Sequence, residues 1–185
     1  MTLSRVAGLM AIYVCCFVCG AREDVRWELI PPRNASIPQG SLLGGYLDNN
    51  EWNYFLYVGR VFFYNNIIPA AVYSHDGRWQ ASFALDGTVR TGITGFEVAA
   101  TDRSEFVRWV PAANGEVPQG AVQVGIAAGG SEVLYACRAY DDPQQGGVSV
   151  TVMAVGALRP TAKVCFTTIM GTLKKYPTYE VLVKS

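Results

Sequence analysis

Residues 108–120 read RWVPAANGEVPQG, and residues 26–40 have already read RWELIPPRNASIPQG. Both stretches open on Arg-Trp, pass through Pro and Asn, and close on an aliphatic residue followed by Pro-Gln-Gly. Further matches follow in the same order. LYVGR at 56–60 faces LYACR at 134–138, and FEV at 96–98 faces YEV at 179–181. The separations stay at about 80 residues, which makes the chain two copies of one unit of about 75 residues. The copies lie within 22–100 and 107–185, joined by a polar linker at 101–106. With only two copies, a pseudo-twofold pair is expected rather than a solenoid.

Each unit is written in β-forming residues. NYFLYVGRVFFYN, WQASFAL, SEVLYACRAY, VSVTVMAV, AKVCFTTI and YEVLVKS are rich in β-branched and aromatic side chains, with Gly, Pro, Asn or Asp between them. No segment beyond residue 21 carries a capped 3.6-residue apolar stripe. The expected fold is therefore all-β, a sandwich or barrel-like unit of short strands. IPQG and VPQG read as tight turns, with Pro at the second position and Gly at the fourth. Trp27 and Trp109 read as core anchors of the two halves.

Fifteen basic residues balance fifteen acidic ones. This argues against nucleic acid or an anionic membrane as the main partner, since both require clustered cations. The N-terminus has one early positive charge, Arg5, then an uncharged run over 6–21 ending in Gly20 and Ala21. That is the layout of a secretory signal over residues 1–21, and the run is short of the roughly twenty apolar residues that span a bilayer. No later segment is long and apolar enough to cross a membrane. Removal of the signal leaves Cys137 and Cys165, an even pair that suits one disulfide in an oxidising compartment, with two buried thiols as the alternative. Asn34-Ala35-Ser36 is a glycosylation sequon.

Candidate chemistry is sparse. The one histidine, His75, lies in YSHDGRW; Ser74, His75 and Asp76 are sequence neighbours, whereas a catalytic triad converges from separate segments. Asp76-Gly77 reads instead as a hairpin turn with His75 at its edge. VGIAAGGSEVLY has the glycines of a phosphate loop, but a strand follows where a helix is needed. One His, two remaining Cys and no recurring carboxylate spacing offer no metal site. No cofactor and no enzymatic activity are expected. What remains is acidic and amide groups beside aromatics in turns, the equipment of neutral-sugar recognition: Asp48, Asn50, Glu51 and Trp52 before the first Leu-Tyr strand, and Glu132 before the second. The same loops also serve as plain soluble connections.

RWVPAANGEVPQGAVQVG, followed by LYACRA and a closing YEVLV, resembles the DM9 repeat, whose usual phrase runs Trp-Val-Pro, Asn-Gly, Val-Pro-Pro-Gly-Ala-Val, Leu-Tyr-Val-Gly-Arg-Ala and Tyr-Glu-Val-Leu. The resemblance covers both halves. It implies tandem repeats that exchange elements across a pseudo-twofold, in a family of secreted and cytosolic proteins of which some are lectins with a mannose preference that act in pathogen recognition. In those lectins an acidic residue before the Leu-Tyr strand and a Lys in a later Pro-Gly-Lys-Val-His phrase hold the sugar. Carried over, Asp48 or Glu51 stands for the acid in the first half and Glu132 in the second. The Lys is missing: IPAAVYSHDG has Ala70 and Ala71 where Gly-Lys is expected, and PQQGGVSV in the second half has none. Some relatives bear the name of a farnesoic acid methyltransferase, but neither a cofactor loop nor a base supports that chemistry here. The expectation is a secreted, extracellular protein that binds a glycan or pathogen-surface carbohydrate through Asp48, Asn50, Glu51, His75 and Glu132. Its rival is a protein-interaction or structural member that has lost sugar binding. A homodimer is compatible with either.

Overall fold

The computed structural model describes residues 25–31, 36–48, 53–141, 144–145, 148–149 and 151–185. Residues 1–21, expected to be a signal, Asn34 of the sequon, and Asn50 and Glu51 lie outside them. In the first half the strands are β1 (Arg26–Ile30), β2 (Leu43–Asp48), β3 (Asn53–Phe63), β4 (Asn66–His75), β5 (Arg78–Leu85), β6 (Thr88–Ile93) and β7 (Phe96–Ala100). The second half repeats this order as β8 (Val107–Ala113), β9 (Gln123–Ala127) and β10 (Glu132–Asp141), inserts a small hairpin of β11 (Gln144–Gln145) and β12 (Val148–Ser149), and resumes with β13 (Thr151–Arg159), β14 (Val164–Ile169), β15 (Thr172–Tyr176) and β16 (Thr178–Lys184). The fold is all-β, and no helix among the described residues is long and apolar enough to cross a membrane.

Local chemistry sets the hairpins. Asp76-Gly77 joins β4 to β5 with both residues at positive φ, 50° and 70°, the conformation that a two-residue turn matching strand twist requires. The Pro-Gln-Gly turns are real but framed one residue differently from the sequence expectation. Ser41 N–H donates to Pro38 O, and Ala121 N–H donates to Pro118 O, so Pro is first and Gly third. Gly40 and Gly120 sit at φ 78° and 81°, the left-handed third position that a Cβ disfavours. Each turn then delivers its chain to the same place: Leu42 N–H bonds Ala99 O, and Val122 N–H bonds Leu182 O, both at 2.8 Å.

The halves are tied into one sheet by exchange. Strands β2, β3 and β4 pair in sequence, as do β9, β10 and β13; β4 then pairs with β9, and β13 with β2, closing a ring of six strands, three from each half. Around this ring, β5 and β6 extend from β4, and β14 and β15 from β13, while β7 with β1 and β16 with β8 flank β3 and β10. The crossings require backbone to approach backbone. A Cβ on Gly45 would lie 1.8 Å from Met153 O, and one on Gly125 would lie 2.0 Å from Ile67 O. Gly125 belongs to the glycine-rich VGIAAGG stretch, whose glycine thus serves strand exchange. The central core draws on both halves, with Leu56, Val58, Ala71 and Ala99 packed against Val124, Ala136, Val155 and Leu182.

The repeated phrase acquires its meaning here. Trp27 lies under the Arg60 guanidinium, 4.3 Å from ring centroid to carbon, and Arg60 Nε donates to Glu97 at 2.5 Å. Trp109, Arg138 and Glu180 repeat the stack at 4.6 and 2.5 Å. The Arg-Trp, Leu-Tyr-x-x-Arg and aromatic-Glu-Val motifs are therefore three parts of one cation–π and ion-pair clamp that fastens an edge strand to the ring. The tryptophans are half-buried at the margin of the central core rather than enclosed by it.

Cys137 and Cys165 are joined, with Cα atoms 6.0 Å apart. The bond bridges β10 to β14 across β13, where Cys137 faces Gly156 and Cys165 faces Leu158. Counting along the matched strands places Gly59 and Ala81 at the corresponding positions of the first half, so the staple belongs to the second half alone.

Candidate functional site

Alternation along β3 and β4 brings a set of side chains to one side of the ring. Tyr54 and Leu56 share a face of β3; Ala71, Tyr73 and His75 share a face of β4. With Leu47, Gln80, Ser82 and Thr91 from the first half, and Val152, Thr168 and Met170 from the second, they line a cleft of about 460 Å³. The size and the mix of apolar walls with a few polar tips suit a small ligand.

The polar groups are organised. Tyr54 Oη and His75 Nδ1 are 2.6 Å apart, and His75 Nε2 faces Asp76 at 3.5 Å. The His75 ring thus bridges the Tyr54 phenol and the Asp76 carboxylate. Tyr54 and Tyr73 meet edge to face, with centroids 5.7 Å apart. Burial raises the pKa of both phenols, Asp76 adding to the effect at Tyr54 and Tyr54 at Tyr73, so both stay protonated and uncharged near neutrality. At the floor, Ser82 Oγ and Thr168 Oγ1 share a hydrogen bond of 2.7 Å between the two halves.

The pseudo-twofold supplies an internal comparison. Leu56 and Leu134 match in the Leu-Tyr motif, so Tyr54 corresponds to Glu132. The registers Val58 with Ala71 and Ala136 with Ala157 make Tyr73 correspond to Arg159 and His75 to Thr161. There the position is filled by ions. Glu132, only 7 % exposed, accepts from Arg159 Nη2 at 2.6 Å, from Arg159 Nε at 2.9 Å and from the Thr161 hydroxyl. Arg159 Nη1 reaches Asp86 of the first half at 2.8 Å. Burial pushes the Glu132 pKa up, but these donors outweigh it and hold the carboxyl below its ordinary range. Phe166 stands where the first half has Ser82. One half thus presents an uncharged cleft and the other an ion-pair plug.

The structure distributes the candidate residues accordingly. His75 lines the cleft. Glu132 is occupied by Arg159 and Thr161 and offers a ligand nothing further. Asp48 is exposed and follows Leu47, so alternation turns it to the face opposite the cleft. Asn50 and Glu51 lie outside the described residues. Ala71, where the resemblance leads one to expect Lys, is buried in the cleft wall. The second-half counterpart of that position is Ala157, in VGAL at 155–158, and not in the PQQGGVSV stretch that sequence spacing suggested. From Leu56 to Ala71 is fifteen residues, from Leu134 to Ala157 twenty-three, and the inserted hairpin accounts for the difference. Tyr54, Tyr73, Gln80 and Thr91 were not singled out by sequence. Only Tyr54 carried a signal, its place two residues before Leu56 mirroring Glu132 before Leu134.

A larger cleft of about 680 Å³ runs beside Trp109, Ser41, Thr101 and Asp102. Three of its polar side chains are engaged internally: Ser41 Oγ donates to Pro38 O, Thr101 Oγ1 accepts from Arg103 N–H, and Asp102 pairs with Arg26.

Residues 51–148 match the DM9 repeat family, more than half of the chain. The chain belongs to the DM9 repeat family. No curated protein matches the DM9 chain. Among solved structures it is similar to the nematode sperm cell motility protein MFP2B, with a TM-score of 0.53 and 11 % identity over 86 % of this chain. The likeness is one of fold, and it spans 44 % of the MFP2B chain, under half of that protein's length. The family match runs from the end of the β2–β3 connection through the linker and into the β11–β12 hairpin, so both halves of the DM9 ring take part in it.

Proposed function

We propose that this DM9 protein is an exported recognition protein that binds a neutral carbohydrate in the cleft of its first half. The carrying observation is the cleft's lining: phenol, imidazole, amide and hydroxyl tips among apolar walls, with no Asp, Glu, Lys or Arg among its described lining residues. Such groups exchange hydrogen bonds with sugar hydroxyls, and the tyrosine rings provide a surface for the C–H face of a pyranose. Export is supported by the signal-like N-terminus and the Cys137–Cys165 bond. Binding, not catalysis, is the activity proposed.

A glycan array followed by NMR titration tests this. The expected result is a saturable shift with a neutral mono- or disaccharide, lost in Tyr73→Ala. A folded sample that responds to no neutral sugar at millimolar concentration refutes it.

A second reading has its own observation. The cleft holds Ala71 in place of a Lys, the second-half counterpart is Ala157, and Glu132 is engaged by Arg159, so the Lys of the mannose-type pair is missing from both halves and the second-half acid is occupied. On this reading the scaffold binds a protein instead. Pull-down from host fluid that retains a defined protein partner, with the array silent, favours it.

A further inference from the structure

We propose that the outer face of the ring carries a second glycan site, an aromatic platform for an extended polysaccharide chain, separate from the cleft. Residues paired directly across antiparallel strands project to the same face. Tyr140 pairs with Met153, Met153 with Tyr46, and Tyr46 with Phe55, which lays one row across β10, β13, β2 and β3. The rings in that row are open to solvent: Phe55 is 63 % exposed, Tyr140 57 % and Tyr46 41 %. Two residues along the same face, Asp48 pairs with Asn53, and both are exposed. Leu47, Tyr54 and Val152, on the opposite face of the same strands, line the cleft, so the platform and the cleft wall are back to back.

The occupant follows from the row's chemistry and spacing. Neighbouring strands lie about 4.8 Å apart, which puts Tyr140 and Tyr46 roughly 10 Å apart, about the length of a disaccharide, with Phe55 one strand further. A single sugar covers one ring; an extended chain spans all three. The flat faces of pyranoses stack on the rings, while the Asn53 amide meets hydroxyls at the border. The other half provides the control. Its equivalent row is Phe62, Ile67, Ile126 and Val133, aliphatic except at one end, with its three aliphatic members half-buried. The fold is thus built equally well without rings at these positions, and a solvent-facing aromatic row is left for a ligand.

Affinity electrophoresis through gels containing mannan or soluble β-glucan, together with sedimentation on chitin, tests the site. Wild-type protein is expected to be retarded or retained by at least one of these. Tyr46→Ala, Phe55→Ala and Tyr140→Ala each weaken that retention about tenfold, whereas Phe62→Ala on the twin row leaves it unchanged. Titration with a monosaccharide, read by the shifts of Tyr73 and His75, reports the cleft separately, so absence of a response there with platform retention intact overturns only the cleft. Absence of retention on every polysaccharide overturns the platform. So does retention that Phe62→Ala reduces equally, or a concentration-dependent self-association that Tyr46→Ala abolishes in protein no polysaccharide retains, which makes this face an interface between copies.

Discussion

Tyr54 and Glu132 hold the same place in two halves of one fold, and their neighbours decide what each does. Glu132 has Arg159, Thr161 and, through Arg159, Asp86; Tyr54 has His75 and Tyr73. Glu132→Gln is expected to destabilise the protein by about 1–3 kcal/mol near neutrality, because it replaces a charge-assisted pair and leaves Arg159 less compensated. The folded-state pKa of Glu132 is depressed below 4.5, so its contribution is present above that value and is lost as pH falls through the lower folded pKa. Urea unfolding of wild type and variant across acidic pH should show their difference shrinking at the low end; a constant difference contradicts the assignment. At the same scale, Arg60→Ala and Arg138→Ala should each cost about 1–2 kcal/mol by uncovering a tryptophan and orphaning Glu97 or Glu180, measured by thermal melting.

Among the strands, the exchange points are the vulnerable ones. Gly45→Ala places a Cβ into the Met153 carbonyl and Gly125→Ala into that of Ile67, so each should destabilise by about 1–3 kcal/mol, read by denaturant unfolding. By contrast, Gly77 and Gly87 face open space, and substitution there costs only the left-handed conformation. The Cys137–Cys165 bond closes a 28-residue separation, worth about 3–4 kcal/mol in the loop-entropy description. Reduction or Cys137→Ser with Cys165→Ala should lower the melting midpoint by roughly 10 °C. Most strands were legible from β-branched and aromatic runs, and Asp76-Gly77 was legible as a turn. The Pro-Gln-Gly frame was not, because which carbonyl accepts Ser41 N–H depends on where Leu42 is drawn down onto Ala99. The site was less legible still: of the three candidates among the described residues, Asp48, His75 and Glu132, His75 alone lines the cleft, since the parity that turns Leu47 inward and Asp48 outward is set by pairing with β3 and β13.

For the whole molecule, the ring closes only through β4 with β9 and β13 with β2, and the central core is shared across those seams. Residues 22–103 and 104–185 expressed separately should therefore lack cooperative unfolding and dispersed amide signals, and should regain both when mixed. Two independently folded halves would contradict the exchange. The β4–β9 seam rests on a single registered pair, Ile67 with Ile126, against three at β13–β2, so hydrogen exchange should be faster at β9 than at β2.

Sequence alone determined that the chain is a doubled β unit, because alternation, turn chemistry and repeated phrases are local and survive without coordinates. It also suggested that Cys137 and Cys165 pair, with two buried thiols as the alternative, and the tertiary structure joins them. Only the tertiary structure decided that Trp27, Arg60 and Glu97 form one clamp, that Glu132 is sealed while Tyr54 is open, and that Asp48 stands behind the cleft beside a row of exposed rings. Those facts arise from register between strands far apart in the chain. A one-residue shift in register exchanges inside for outside, and no local pattern in the chain records it.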